Sequence, residues 1–363
     1  MPVSPTTDHH KTPQKTSRAA RSAVTSGVLV ELSRKTSMLA FALRRLLVSV
    51  PILIVSTFVV FVMVSLSANP LSTLITRNPP PPQQTIDAER HRLHLDQPLL
   101  ERYWNWITGI FRGDFGPSVN STTDIGSEVI TRFGVTFRLI FLAMIIALIL
   151  AIVVGAVSAV KQYSKLDYTA TFFGFLFLSM PSFWLAVLLK QAGISINTAV
   201  GDQVFYTIGA ESIYVQGGAW AHFTDVLGHM ILPTISLALI SYASWSRFQR
   251  GAMLEVLNSD YVRLARAKGL SRGVVMRRHA LRNALIPLTT VTALDLASII
   301  SGAVVTEKVF QWQGAGTFLL DAIAQSDVYV VEAWLLISAT FVILFNLVAD
   351  LLYGVLDPRI RHA

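Results

Sequence analysis

Six long apolar stretches, separated by polar segments, dominate the pattern of this chain. They are Leu46–Leu66, Leu139–Val160, Tyr168–Leu189, Val226–Ser246, Asn283–Thr306 and Ala333–Ala349. A helix needs roughly 20 apolar residues to cross the hydrocarbon core of a bilayer. Open sheet cannot span lipid, because its edge groups would lack hydrogen-bond partners. The pattern therefore predicts an all-α polytopic membrane protein with six transmembrane helices.

The charge and cysteine content narrow the class of protein further. Hydrophobic residues make up 52% of the chain and charged residues only 14%, against about 25% charged residues in a typical soluble domain. Asp295 is the only Asp, Glu, Lys or Arg residue inside a predicted span. The chain contains no cysteine, so disulfides and thiolate metal sites are excluded.

The distribution of Lys and Arg predicts the side of the membrane on which each loop lies. With six spans, both termini share one side with the connections 161–167 and 247–282. That side carries 21 of the 30 Lys and Arg residues and a net charge of +14, whereas the other side has a net charge of −5. Because basic residues concentrate in cytoplasmic loops, the first side is the cytoplasm. Topology accounts for the basic charge, and no aromatic-studded basic face indicates nucleic-acid binding.

Four segments follow from this pattern. Residues 1–37 are rich in Ser, Thr, Lys and Arg and are predicted to form a disordered basic cytoplasmic tail. Residues 38–138 contain the first transmembrane helix and a large external segment. Residues 139–357 form a five-helix core with a cytoplasmic loop at 258–282, and residues 358–363 form a cytoplasmic C-terminal tail.

The basic segment Asn258–Pro287, between the fourth and fifth spans, is the strongest functional candidate. Asp260 is predicted to cap a short helix over Tyr261–Lys268, which Gly269 closes in the left-handed conformation. Ser271 is predicted to cap a second helix that continues into the fifth span. A solvated loop that merely follows the charge rule would explain the basic residues. It would not explain the helix–glycine–helix organisation.

The short helix offers both charge and close-packing surfaces. Arg263 and Arg266 fall on one face, because residues three apart on a helix are neighbours. The remaining contacts are expected from small or apolar residues: Val262, Leu264, Ala265, Ala267 and Gly269.

Signatures of enzymes are scarce. The chain contains no phosphate-binding loop of the G-x-x-x-x-G-K-[ST] type, no H-E-x-x-H motif and no G-x-S-x-G motif. His91 and His94 share a predicted helix face, but no carboxylate or thiolate stands at ligand spacing, so no metal site is predicted. We therefore predict a non-catalytic membrane transport protein.

Several motifs resemble a known family. Y-V-R-L-A-R-A-K-G-L, at Tyr261–Leu270, is followed by R-H-A-L-R-N-A-L-I-P. Together they resemble the cytoplasmic loop of the permease subunits of binding-protein-dependent ABC importers, in the oligopeptide/dipeptide/nickel branch. Further matches occur in the same order along the chain: Gly113–Gly116, Met180–Leu185, Glu307–Gly316 and Leu356–Arg361. The resemblance covers about residues 38–361, with Gln313 standing where proline is usual.

The resemblance implies a fold, a location and partners. It implies a MetI-like permease core in the bacterial inner (plasma) membrane, paired with a homologous second permease. Two ATP-binding subunits would lie on the cytoplasmic side and an extracytoplasmic substrate-binding protein on the other. ATP and Mg²⁺ would bind to the partner ATPases, and this chain itself would carry no cofactor. The helix docking on an ATPase would comprise Tyr261, Arg263, Ala265, Arg266, Ala267, Lys268 and Gly269.

The substrate and the role of Asp295 stay open at this point. Within the family, peptides are expected, with nickel or another small solute as the alternative. A stand-alone ion-coupled secondary transporter is the rival class, and such proteins usually show repeated halves and several polar intramembrane sites. An intramembrane carboxylate marks a functional site by default, so Asp295 is a candidate for the translocation path. A structural hydrogen bond is the alternative.

The topology can be tested with single cysteines, because the chain has none of its own. We expect an impermeant thiol reagent applied to intact cells to label a cysteine at Ser121, in the external segment. It should leave a cysteine at Ser271, in the cytoplasmic loop, unlabelled. Labelling at Ser271 but not at Ser121 would contradict the six-span topology.

Overall fold

A computed structural model describes most of the chain. The described residues are 43–67, 69–120, 122 and 124–356. The predicted tails at 1–37 and 358–363 and the labelling position Ser121 lie outside them. The chain divides into two units, Met1–Pro51 and Ile52–Ala363. In the first unit the described residues 43–51 are helical, and all the helices named below lie in the second.

Helices form all the regular structure of the described residues, which include no strand. They are α1 (52–67, the part in this unit of a helix described from residue 43), α2 (Gln83–Arg92), α3 (Leu99–Ile110), α4 (Ile125–Val160), α5 (Lys165–Ser179), α6 (Ser182–Val200), α7 (Ala219–Leu257), α8 (Asp260–Ala267), α9 (Arg282–Phe310), α10 (Ala315–Ala324) and α11 (Val328–Leu356). The turns Ser72–Ile75 and Arg272–Val274 are also helical, and Val275–Leu281 is a π-helix. The prediction of an all-α protein is confirmed.

Five of the described helices are long and apolar enough to cross a membrane. They are the helix containing α1, and α4, α6, α7 and α11. The fifth predicted span, Asn283–Thr306, lies within α9, which has 29 residues. The polytopic character is thus confirmed, whereas the count of six spans and the cytoplasmic termini stay predictions.

The third predicted span, Tyr168–Leu189, is wrong as a single helix. The chain breaks at Met180 and Pro181, with α5 ending before them and α6 beginning after them. Met180 is extended, with φ −77° and ψ 132°, because the ring of a following proline disfavours the helical conformation. The helix that meets the length and composition of a span is therefore α6, which extends to Val200.

The centre of the bundle is the pair α4 and α7. α4 buries Ala143, Ala147 and Ala151 at four-residue intervals, in one cluster with Leu237, Tyr242 and Trp245 of α7. One turn further, a Cβ on Gly155 would lie 2.8 Å from the backbone oxygen of Ser246. Small side chains at this spacing let two helices in a membrane approach closely, which increases their van der Waals contact. α5, α6 and α9 also pack against α7.

A buried carboxylate joins three helices at the end of α9. Glu307 is fully buried, and its Oε2 accepts hydrogen bonds from the backbone N–H groups of Gly316 (2.8 Å) and Thr317 (3.2 Å) at the start of α10. The hydroxyl of Thr136, on α4, donates to Oε1 of Glu307 and accepts from the N–H of Ala315 at 2.7 Å. A carboxylate at the N-terminus of a helix satisfies N–H groups that have no partner within the helix.

This arrangement explains why the stretch Glu307–Gly316 reads as a motif. A Cβ on Gly314 would overlap both the Glu307 carboxylate and the Thr136 hydroxyl. The glycine therefore makes room for the carboxylate, and the two residue types are required together. We refer to Glu307, Thr136 and the first turn of α10 as the α10 cap.

Replacing Glu307 with alanine should destabilise the protein through the α10 cap. The substitution leaves two N–H groups and one hydroxyl without their acceptor, and each buried unsatisfied group costs about 1–3 kcal/mol. We expect a clear fall in the thermal unfolding midpoint of the purified protein. Asp321→Ala is the control, because this carboxylate also lies on α10 but is exposed, 3.6 Å from Lys308. Equal shifts in the two variants would contradict the assignment.

Candidate functional site

The short helix of the cytoplasmic loop is α8, and its start differs from the prediction. The N-cap residue is Ser259, with φ −72° and ψ 153°, and Asp260 is the first helical residue. The hydroxyl of Ser259 donates to the oxygen of Val256 at 2.6 Å, so it does not cap the helix. Asp260 instead places a negative charge in the first turn, which interacts favourably with the helix dipole.

The end of α8 confirms the predicted role of Gly269. This residue has φ +79°, the left-handed region in which a side chain is strained. The N–H of Gly269 donates to the oxygen of Arg266 at 3.0 Å, and the N–H of Leu270 donates to the oxygen of Ala265 at 3.3 Å. These two bonds define a Schellman motif, which stops the helix and reverses the chain. Nothing lies within 4 Å of a Cβ at this position, so backbone conformation alone demands the glycine.

One face of α8 packs against the rest of the chain. Val262 and Ala265 are buried in a cluster with Val275 of the π-helix, and Val256 of α7 packs against it. Ala265 was predicted to contact a partner, but its side chain is used within this chain. The cluster fixes the angle at which α8 is presented.

The opposite face of α8 is exposed and combines apolar with basic side chains. Tyr261 is 43% exposed and Leu264 is 56% exposed. The other exposed residues of this segment are Arg263, Arg266, Ala267, Lys268 and Gly269. Arg263 lies 3.6 Å from Asp260, and both side chains are well exposed. An exposed leucine and tyrosine among three basic residues is a surface suited to binding another protein.

A second cluster connects this segment to the membrane helices. Ala280 and Ala284 are buried together with Met253 of α7 and Ala159 of α4. Through the π-helix Val275–Leu281, the chain runs from the end of α8 into α9. The segment that follows α8 is therefore packed directly against α4 and α7.

An ion pair beside this cluster was not foreseen from the sequence. Arg250, on α7, donates to both carboxylate oxygens of Asp167 at 2.8 and 2.9 Å. Ser158, at the end of α4, and the N–H of Tyr163 (3.0 Å) donate to the same carboxylate. Hydrogen bonding to Arg250 holds the pKa of Asp167 well below its usual range, although burial acts in the opposite direction. Its partners lie far apart in sequence, so no local pattern reveals it.

Asp295 contacts a neighbouring helix. Its Oδ2 accepts a hydrogen bond from the indole Nε1 of Trp245 at 2.7 Å. Trp245 is fully buried in the α4–α7 core, so the carboxylate links α9 to α7. An indole N–H within a membrane needs an acceptor, and Asp295 provides it. This geometry supports the structural alternative, and a role in the translocation path stays a prediction.

The histidines considered for metal binding have other surroundings. Nδ1 of His91 lies 2.8 Å from Oδ2 of Asp96, in an exposed pair. Among the described residues, no group of three or more His, Cys, Asp or Glu side chains is placed to hold a metal ion.

Together, the apolar helices and α8 describe a multi-pass membrane protein with one short, exposed helix between α7 and α9. The sequence profile described as the binding-protein-dependent transport system inner membrane component matches residues 151–362. The profile of the N-terminal part of such membrane components matches residues 38–140. The chain belongs to this family of binding-protein-dependent transport permeases.

Curated relatives match over nearly their whole length. The oligopeptide transport system permease protein OppB of Mycobacterium tuberculosis is 41% identical over 324 residues, which cover 89% of this chain and 99% of the relative. The dipeptide transport system permease protein DppB of Escherichia coli K12 is 38% identical, over 90% of this chain and 99% of the relative. The di/tripeptide transport system permease protein DppB of Pseudomonas aeruginosa is 37% identical with the same coverage.

A solved structure supports the fold. The MetNI methionine ABC transporter, in inward-facing conformations, matches with a TM-score of 0.50 at 16% identity. The match covers 63% of this chain and 96% of the other chain. At this identity the likeness concerns the fold, and it agrees with the predicted MetI-like core.

Asp295→Asn separates the two roles of this residue. Asparagine keeps an oxygen that accepts from Trp245 but removes the charge, so a structural role predicts normal assembly and normal transport. Trp245→Phe, which removes the donor, should lower the thermal unfolding midpoint. Loss of transport by Asp295→Asn in a normally assembled protein would instead assign the carboxylate to the translocation path.

Proposed function

We propose that this chain is the transmembrane permease subunit of an ATP-driven importer of oligopeptides or dipeptides. The observation that carries the proposal is the exposed apolar and basic face of α8, held on the membrane bundle by Val262 and Ala265. The named relatives, permeases of oligopeptide, dipeptide and di/tripeptide transport systems, support the substrate class.

In this proposal, separate subunits bind ATP, form the translocation path and deliver the substrate. The chain contains no phosphate-binding loop of the type that ATPases use, so ATP and Mg²⁺ bind to separate subunits, and this chain is not a catalyst. Two such ATP-binding subunits face the cytoplasmic loop. A homologous second permease completes the translocation path, and an extracytoplasmic binding protein delivers the substrate.

α8 acts as the coupling helix in this proposal. Tyr261 and Leu264 enter an apolar cleft of one ATPase, and Arg263, Arg266 and Lys268 contact acidic groups around it. Ala265 supports the helix from behind. When the ATPases close, they push α8, and the π-helix and α9 carry the movement into the bundle, as rigid-body motion of packed helices.

The alternatives receive less support. Nickel or another small solute is transported within the same branch, but the relatives named above are peptide systems. A stand-alone secondary transporter would work without ATPase partners, whereas this chain belongs to a family of binding-protein-dependent systems.

Gly269→Val tests the coupling role. A β-branched residue with φ +79° is strained by about 1–2 kcal/mol, so the variant should misorient α8. We expect the ATPases to copurify poorly and uptake of a labelled dipeptide to fall, while the variant still inserts into the membrane. Gly273→Val is the matched control, because this glycine lies in the same loop without a positive φ and with free space around its Cβ position.

A second set of variants tests the exposed face itself. Leu264→Asp, or Arg263→Glu combined with Arg266→Glu, should reduce copurification of the ATPases without altering thermal stability, because these side chains are exposed. Arg272→Glu, an exposed basic residue outside α8, controls for net charge. If all these variants assemble and transport like the parent, α8 is not the coupling helix.

A further inference from the structure

A buried arginine in the segment between the first two spans has two nitrogens without a hydrogen-bond acceptor. Arg102, on α3, is only 8% exposed. Its Nε and Nη2 atoms are buried, and no acceptor lies within hydrogen-bond distance of either. A buried charged group without its hydrogen bonds is strongly unfavourable, so such a group marks a place where a partner binds.

The two nitrogens without acceptors, Nε and Nη2, form the edge of the guanidinium through which other arginines of this chain bind carboxylates. Arg250 uses Nε and Nη2 to bind Asp167, at 2.8 and 2.9 Å. Arg92 uses the same two atoms to bind Glu89, at 2.9 and 2.5 Å. These parallel N–H groups match the two oxygens of a carboxylate or phosphate. Arg102 presents the same edge with no oxyanion on it.

Aromatic rings cover the guanidinium but do not replace the missing acceptor. The Cζ atom of Arg102 lies 5.4 Å from the ring centre of Phe61 and 5.9 Å from that of Tyr329. Cation–π contacts with these two rings stabilise the charge. They do not satisfy its N–H groups, which still require oxygen atoms.

The arginine lines a small polar cavity. The cavity has a volume of about 70 Å³ and is bordered by Arg102, His94, Gln97, Asn105 and Asp114, among others. A single water needs roughly 10–15 Å³ of such space, so a carboxylate or phosphate group fits.

Two carboxylates that line cavities with Arg102 are already engaged. Oδ1 of Asp114 accepts from the N–H of Gly116 at 2.9 Å. Asp327, which lines an adjoining cavity with Arg102, accepts from the hydroxyl of Ser118 at 2.6 Å and the N–H of Val119 at 2.8 Å. Neither carboxylate bonds to Nε or Nη2 of Arg102, so these two atoms remain available to a ligand.

We propose that Arg102 binds a small oxyanion, a carboxylate or a phosphate, side-on through Nε and Nη2. The predicted topology puts the site on the external side of the membrane. The oxyanion comes either from a free anion in solution or from the phosphate of a lipid headgroup. In both cases it neutralises Arg102 and holds α3 against α1 and α11, which carry Phe61 and Tyr329.

Thermal unfolding of the full chain, purified with the subunits that accompany it, tests the site. Sodium acetate, and separately inorganic phosphate, replaces sodium chloride at constant ionic strength. A ligand that binds the native state raises its unfolding midpoint in a saturable way. We expect this rise in the parent and in Arg112→Gln, an exposed arginine just beyond α3, and its loss in Arg102→Gln.

Asn105→Asp keeps the proposal testable should Arg102→Gln fail to fold. Residue 105 lies one turn from Arg102 and borders the cavity, so an aspartate there supplies an oxyanion from within the chain. The variant should unfold at a higher temperature than the parent without added anion, and should no longer respond to acetate. An acetate response unchanged by Asn105→Asp would overturn the proposal.

Native mass spectrometry from bilayers containing phosphatidylglycerol distinguishes the two sources. A lipid retained by the parent, displaced by acetate and lost in Arg102→Gln identifies the headgroup phosphate. An acetate-dependent midpoint without retained lipid identifies a free anion. If the parent shows neither response, the cavity holds only water and the proposal is wrong.

Discussion

The close packing of α4 against α7 is the contact on which the other elements depend. Apolar side chains gain little from packing together in lipid, so van der Waals contact between closely spaced helices has to supply the association. The alanines of α4 and Gly155 allow that spacing. α5, α6 and α9 pack against α7, and the α10 cap is attached to α4 through Thr136. A bulky residue in the alanine row would therefore displace most of the bundle.

Buried carboxylates fix the ends of these helices. Asp167 ties the ends of α4 and α5 to α7, and Glu307 caps α10 against α4 and α9. Asp327 accepts from the N–H of Val330 at the start of α11 at 3.3 Å, and burial raises its pKa. In each case an acid supplies acceptors for N–H groups at a helix end. Apolar contact holds the helices side by side, and these polar links fix the position of one helix along the axis of the next.

The sequence allowed some of this to be predicted, for identifiable reasons. Long apolar runs predict helices because lipid admits few other structures, and Gly269 was predictable because a left-handed residue after a short helix requires a glycine. The break at Pro181 was missed because the apolar run continues across it without a charged residue. The prediction of one continuous span therefore followed the hydrophobicity of the segment and missed the effect of the proline on the helix.

The polar links could not be predicted, because their partners are distant in sequence. Thr136 and Glu307 are 171 positions apart, and Trp245 and Asp295 are 50 apart. A single sequence contains no signal that pairs them. The orientation of α8 was similarly hidden, since Val262 and Leu264 are both apolar, and only the position of Val275 decides which of them is buried. Local backbone conformation could be predicted from the sequence, whereas the long-range partners of polar and apolar side chains could not.

α9 connects the segment that carries α8, the coupling helix in the proposed function, to the α10 cap. Its first turns follow the π-helix that packs behind α8, and its last turn carries Glu307. Pro287 removes one backbone hydrogen bond near the start, and sharp bends in helices occur at prolines and at π-helical turns. Bending is therefore easiest between α8 and the body of α9, while the far end is held by three hydrogen-bonded elements. A push on α8 would tilt α9 about that held end, so movement in the bundle should be greatest where the helices meet the cytoplasmic loop.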